Sequence, residues 1–228
     1  FPHATFEKAD EILLEQRLVK NAEEIDRIRK STHIAEKTIL AMYNELTEGI
    51  TDFDMLKVAK TTMIKEGASG WDHVTMSLGA SDPEAPGTGV KMKKNEMTRF
   101  DIGAVYQGYF SDVSRHAVLG KIPARVQKII GEIVDVHKTC IDAIKPGVRT
   151  MDILNLATET FEKMGEEIPL FPTCHSVGLR CEEVHLFDPL TSSERTFEAG
   201  MTFDLEFWAP FEAYNNRLIG MEDTYLVK

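Results

Sequence analysis

Cysteine is scarce in this chain of 228 residues: Cys140, Cys174 and Cys181 are all it has. Three thiols make no disulfide framework, so the expected compartment is a reducing one, the cytoplasm. No apolar run reaches the ~20 residues needed to cross a bilayer, and residues 1–5 lack the apolar core of a signal peptide. Positive charge is in deficit. With 26 Lys and Arg against 37 Asp and Glu, the net charge of −11 argues against nucleic acid or an anionic membrane as partner. An initial Met is also missing, and the expectation is an excised piece of a longer protein. Apolar residues are plentiful: a hydrophobic share of 43% suffices for a sizeable core, in one large domain or two small ones.

The stretch around which the chain is organised is 97–115, MTRFDIGAVYQGYFSDVSR. Two apolar runs, 100–106 and 109–113, flank Gln107-Gly108, the signature of a tight hairpin turn. An antiparallel pairing centred on Tyr106 and Gln107 sets Asp101 opposite Asp112. A single buried Asp can accept backbone N–H bonds at a turn. Two carboxylates facing each other among apolar residues repel, and a shared cation relieves both the repulsion and the desolvation.

Helical spacing covers 7–18. A longer helix then opens at Asn21, an N-cap with Glu24 completing a capping box, and ends at Gly49. Further helices are expected over 52–66, 124–144 and 150–164, and strands over 71–78, 201–208 and 218–227. The breakers of 79–89 (Pro83, Pro86, Gly87, Gly89) read as a loop near the hairpin. Gly49-Ile-Thr-Asp-Phe-Asp-Met-Leu-Lys-Val-Ala59 aligns without a gap on Gly147-Val-Arg-Thr-Met-Asp-Ile-Leu-Asn-Leu-Ala157, and the match runs on to Gly67 and Gly165. The chain therefore reads as two copies of a helix–helix–hairpin unit.

The second copy carries its own acidic pair. A hairpin turning at Tyr214-Asn215-Asn216 sets Glu206 opposite Glu222. His175, in Pro172-Thr-Cys-His-Ser-Val-Gly-Leu179, is a nitrogen donor that could join four carboxylates between the halves. Cys174, His175, Cys181 and His185 could also imitate a structural zinc site, but their spacing fits no standard finger or ribbon. Trp71, His73, Phe207 and Trp208 read as core or pocket wall. His33, His116 and His137 read as surface or helix-face residues. Asp204 and Asp223 are either supporting groups behind the ligands or strand-end caps.

Asp101 and Asp112 in FDIGAVYQGYFSD, His175 in CHSVGL, Glu206 in MTFDLEF and Glu222 in MEDT have the order and spacing of the pita-bread metallopeptidases, and most resemble the Xaa-Pro dipeptidase and aminopeptidase P branch. The resemblance implies an α+β fold: a pseudo-twofold pair of helix–helix–hairpin units around a curved, mainly antiparallel sheet. Residues 1–17 would be the linker from a preceding domain and 18–228 the metallohydrolase domain. It further implies two divalent ions held by Asp101, Asp112, His175, Glu206 and Glu222. Carboxylates with imidazole suit Mn, Co, Zn or Fe. Glu206 would pass a proton from the attacking water to the leaving amine, and His185 would serve as a second catalytic group.

Several positions depart from the family pattern. The histidine of its Pro-His-Gly stretch has no counterpart in Pro83–Gly89. Glu182-Glu183 stands where a second histidine is usual, unless His185 fills that role, and Gly220 replaces an Arg, with Arg217 only nearby. If Glu84 and Glu182 point inward, the pocket is acidic and favours a substrate with a positive amine. The expected function is hydrolysis of short peptides before proline. A creatinase-like C–N hydrolase or lyase acting on a small molecule, and a non-catalytic peptide-binding module, are the alternatives. The expected partners are the substrate and, as an open possibility, a second copy of the chain in a homodimer.

Overall fold

The computed structural model describes residues 2–78, 87–188, 190, 195–211 and 217–228. Glu84 and the rest of 79–86, and the expected turn at Tyr214-Asn215-Asn216, lie outside the described residues.

Alternating apolar and polar residues build the sheet. Its strands are β1 (Gly70–Leu78), β2 (Met97–Tyr106), β3 (Tyr109–Phe110), β4 (Val113–Val118), β5 (Phe171–Ser176), β6 (His185–Phe187), β7 (Thr202–Phe211) and β8 (Arg217–Leu226). They form one sheet in the order β1-β2-β4-β8-β7-β5-β6, with β3 paired to β2 and every pairing antiparallel. Phe100 and Ile102 on β2, and Phe203, Leu205 and Phe207 on β7, point one way into the cores and are almost wholly buried. Each such side chain contributes roughly 1.5–3 kcal/mol. Their neighbours Asp101, Gly103, Asp204 and Glu206 therefore face the other side.

The helices are α1 (Asp10–Leu18), α2 (Ala22–Glu45), α3 (Asp52–Lys65), α4 (Ala124–Ala143) and α5 (Thr150–Lys163). Asn21 caps α2 in a capping box with Glu24, as its sequence requires. One apolar cluster joins α2 and α3 to β1 and β2, and a second joins α4 and α5 to β5, β7 and β8. The two units correspond closely. α3 begins at 52 and α5 at 150, the 98-residue offset of the repeat. Gly49 and Gly147 enter these helices at φ 88° and 89°, and their amides donate to Met92 and Phe197 carbonyls at 2.8 Å in both copies. Positive φ explains why both copies keep glycine there. The units meet along the β4–β8 seam, where Ser114 pairs with Glu222.

The first hairpin differs from the sequence expectation by two residues. Gln107 and Gly108 both take positive φ, 48° and 83°, and close a two-residue turn between Tyr106 and Tyr109. Centring the turn there pairs Asp101 with Ser114, not Asp112. By the same register Asp112 faces Gly103. A shift of two keeps side chains on the same face, so both carboxylates still point to the same side.

Candidate metal centre

Two lateral rows of side chains cross the sheet on the face away from the helices. The first runs Thr75, Asp101, Ser114, Glu222, Glu206, Thr173 through β1, β2, β4, β8, β7 and β5. Glu206 thus faces Glu222 as the second hairpin requires. In the second row Thr224 pairs with Asp204 and Asp204 with His175. The registers extend it through Asp112 and Gly103 to His73 at the far end. Small residues at Ser114 and Gly103 leave room for the carboxylates between them. Register alone therefore brings Asp101, Asp112, His175, Glu206 and Glu222 together, and adds Asp204 and His73.

The contacts are close. His175 Nε2 lies 3.5 Å from Glu222 Oε1 and 3.9 Å from Glu206 Oε1, and its Nδ1 lies 3.8 Å from Asp204 Oδ2. His73 Nε2 is 3.1 Å from Asp101 Oδ1 and 3.2 Å from Asp112 Oδ1. Donor atoms of Asp112, His175 and Glu222 fall within 4.8 Å of one another, as do those of His73, Asp101 and Asp112, so Asp112 belongs to both groups. Arg99 pairs with Asp101, donates to Ser114 Oγ at 3.1 Å, and stacks 4.3 Å over the Trp208 ring. Trp208 Nε1 donates to Glu206, Thr224 Oγ1 donates to Asp204, and Cys181 Sγ donates to Asp112 Oδ2 at 2.9 Å.

Burial sets the electrostatics. It raises the pKa of Asp112, with the Asp101 charge adding to it, and raises Glu222, with Asp112 and Glu206 adding. Glu206 and Asp204 are raised for the same first reason. At Asp101 burial also pushes upward, but the His73 hydrogen bond and the Arg99 charge outweigh it and hold the pKa below the usual value. Burial likewise works against the charged forms of His73 and His175, and their carboxylate partners more than reverse it.

The donor set fits a divalent cation. Asp112 Oδ1, His175 Nδ1 and Asp204 Oδ2 are buried without a hydrogen-bond partner. His73 Nε2 lies 3.2 Å from Asp112 Oδ1. Orphaned buried polar atoms are rare in folded proteins. Grouped like-charged carboxylates with imidazole nitrogens are a site that Mn, Co, Zn or Fe ions satisfy.

Other expectations fall differently. His185 pairs with His175 across β5–β6, but its side chain is 48% exposed. Its ring centroid lies 6.2 Å from that of His175, and its Nε2 is 3.2 Å from Glu182. It stands at the rim rather than among the carboxylates. Glu182 is exposed beside it, while Glu183 is buried against Lys20 and Arg17. His116 is not a surface residue. It accepts from the Gly220 amide at 3.1 Å, and burial, then the Arg99 charge, drop its pKa to about 3. Asp223 points away and pairs with Arg115 at 2.6 Å. His73, read from sequence as core or wall, is in the cluster; a strand pattern of apolar residues carries no sign of the irregularity that turns it there.

Residues 26–228 match metallopeptidase family M24. An uncharacterized peptidase of Staphylococcus aureus is 28% identical over 205 residues, 89% of this chain and 58% of that protein. The chain thus spans less than two thirds of the length of this curated relative. The prolidase from Pyrococcus furiosus superposes with a TM-score of 0.84 at 24% identity, covering 98% of this chain and 66% of that one. The X-Pro aminopeptidase from Thermotoga maritima gives a TM-score of 0.85 at 20% identity, covering 100% and 65%. Both likenesses establish the pita-bread fold. No helix among the described residues is long and apolar enough to cross a membrane.

Proposed function

Because the chain belongs to metallopeptidase family M24, we propose that the two rows form a dinuclear metal centre that hydrolyses short peptides ahead of proline. The observation that carries this reading is a pair of donor groups that share Asp112, one with His73 and Asp101 and the other with His175 and Glu222, with Glu206 Oε1 3.9 Å from His175 Nε2 and three buried polar atoms there without a partner. Asp112 is common to both groups of donors. Divalent ions held by these residues would supply an acidified water and polarise a scissile carbonyl. The physiological ion is one of Mn, Co, Zn or Fe.

The chain's own residues do the rest. Glu206 is the more open of the paired glutamates, with 18% of its side chain exposed against 3% for Glu222. It is the group that would take a proton from the attacking water and deliver it to the leaving amine. The indole N–H of Trp208 orients it. His185, at the rim beside His175, would meet the substrate rather than the ions. Arg99 offsets the charge of Asp101. Residues 1–17 are proposed as the linker into a domain spanning 18–228. Leu18 is the first buried position among the described residues, and Arg17 reaches Glu183 at 2.6 Å.

The test is an assay of the protein at its full native length, loaded with Mn or Co, against matched Xaa-Pro and Xaa-Ala peptides, with Asp112→Ala as control. Turnover of the proline series by the wild type alone is expected. Proven metal binding without peptide turnover would overturn the peptidase reading in favour of C–N hydrolysis or lyase chemistry on a small molecule. Absence of metal would favour a peptide-binding module.

A further inference from the structure

The second lateral row ends in a histidine on each side, His175 on β5 and His73 on β1. His175 stands among the glutamates of its own half. His73 stands in the same relation to the aspartates of the other half, although no motif in the sequence announces it. Three features place it there. First, β1 carries one extra residue between Trp71 and Val74, whose partners on β2 are Ala104 and Ile102. Asp72 and His73 therefore share a single opposite residue, Gly103. This is a β-bulge, a device that re-aims side chains beside functional sites. Second, the absence of a side chain at Gly103 makes room for the ring: a Cβ there would sit 2.6 Å from the His73 ring and 3.2 Å from Asp72 Cβ, so any larger residue would displace His73 from this position. Third, the two ring nitrogens are divided. Nδ1 lies 3.2 Å from Asp72 Oδ2, and Nε2 faces Asp101 Oδ1 and Asp112 Oδ1 at 3.1 and 3.2 Å.

We propose that His73 is a metal ligand of the centre, binding through Nε2 the ion held by Asp101 and Asp112, with Asp72 fixing the ring from behind. A carboxylate on the far nitrogen of a ligating histidine sets its tautomer and orientation and strengthens it as a donor. The pseudo-twofold sheet then gives each ion one imidazole, His73 on one side and His175 on the other. Cys181 is not a ligand in this arrangement. Its thiol donates to Asp112 Oδ2 and holds that carboxylate from the far side. A nitrogen donor at the Asp101–Asp112 position biases it toward Co, Zn or Fe and away from Mg or Ca. This inference rests on the proposed metal centre, and its test separates the two.

The wild-type protein is loaded with Co(II), and its proton NMR spectrum is searched for exchangeable imidazole N–H resonances shifted by the paramagnetic ions. Two such resonances are expected, one from each histidine. His73→Ala should remove one of them and weaken binding of one ion of the pair at least 100-fold by calorimetry, while the other ion binds as before. Asp72→Asn should keep both resonances and weaken that same ion about 10-fold. Two bound ions with a single shifted imidazole resonance in the wild type would overturn the role of His73 and leave the metal centre standing. No bound Co(II) at all would overturn both. The wild-type spectrum decides the matter even if a variant fails to fold.

Discussion

Neutralising Glu222 should stabilise the metal-free protein while crippling the metal-bound one. Glu222 is 2% exposed, faces Glu206 across β7–β8, and has His175 as its cationic neighbour at 3.5 Å. Burial, then Asp112 and Glu206, raise its pKa well above its ordinary value of 4.5. A carboxylate whose pKa rises on folding loses stability as pH climbs from its unfolded value toward its folded one. At 1.36 kcal/mol per pH unit, the interval from 4.5 to 7 caps this penalty at about 3 kcal/mol. Glu222→Gln keeps the shape and an acceptor for His175 but removes the penalty. Urea unfolding in chelator should therefore show the variant more stable at pH 7, by no more than about 3 kcal/mol, the difference shrinking to nothing near pH 4. With metal in sufficient excess the order reverses. The wild type gains about 4.1 kcal/mol when free ion exceeds Kd 1,000-fold, and the variant, lacking a ligand, gains far less. A variant less stable than wild type in chelator at pH 7 would refute this electrostatic reasoning.

Lys20→Met should cost about 3 kcal/mol in urea unfolding. It strands the buried Glu183 carboxylate, to which Lys20 Nζ donates at 2.9 Å, with the partly exposed Arg17 as remaining cation. A loss below 1 kcal/mol would show that Arg17 alone compensates Glu183. Gly220→Ala places a Cβ 1.8 Å from the Phe207 carbonyl oxygen and 2.5 Å from the Trp208 ring. It should destabilise by at least 1–3 kcal/mol and quench or shift Trp208 fluorescence as the Arg99 stack is disturbed. Wild-type stability and an unchanged spectrum would contradict that packing.

Most of the fold was legible because its determinants are local. Asn21 and Glu24 announce the start of α2, Gly49 and Gly147 mark the repeat, and strict alternation along β2 and β7 assigns Asp101 and Glu206 to the face opposite Phe100 and Phe207. The turn at Gln107-Gly108 is legible in the sequence, but the pairing expected from it is off by two, because it is centred between Tyr106 and Gln107 and the strands pair about the midpoint of Gln107 and Gly108. The carboxylates survived the error, since a shift of two preserves the face. His73 and Asp204 were harder. One is aimed by a bulge defined only by pairing to β2, and the other was ambiguous between a strand-end cap and a supporting group. His116 looked like a surface residue because its burial depends on Trp208 and β8, more than ninety positions away in the chain.

The claim on which the rest depends is that Asp112 joins two ions into one centre. Metal content is the direct measure: wild type and Asp112→Ala, purified in Mn-containing buffer and freed of loosely bound ions, are compared by elemental analysis. The account predicts two ions per wild-type chain and loss of most of both in the variant, since Asp112 belongs to both donor groups. Equal metal content in the two proteins would contradict it.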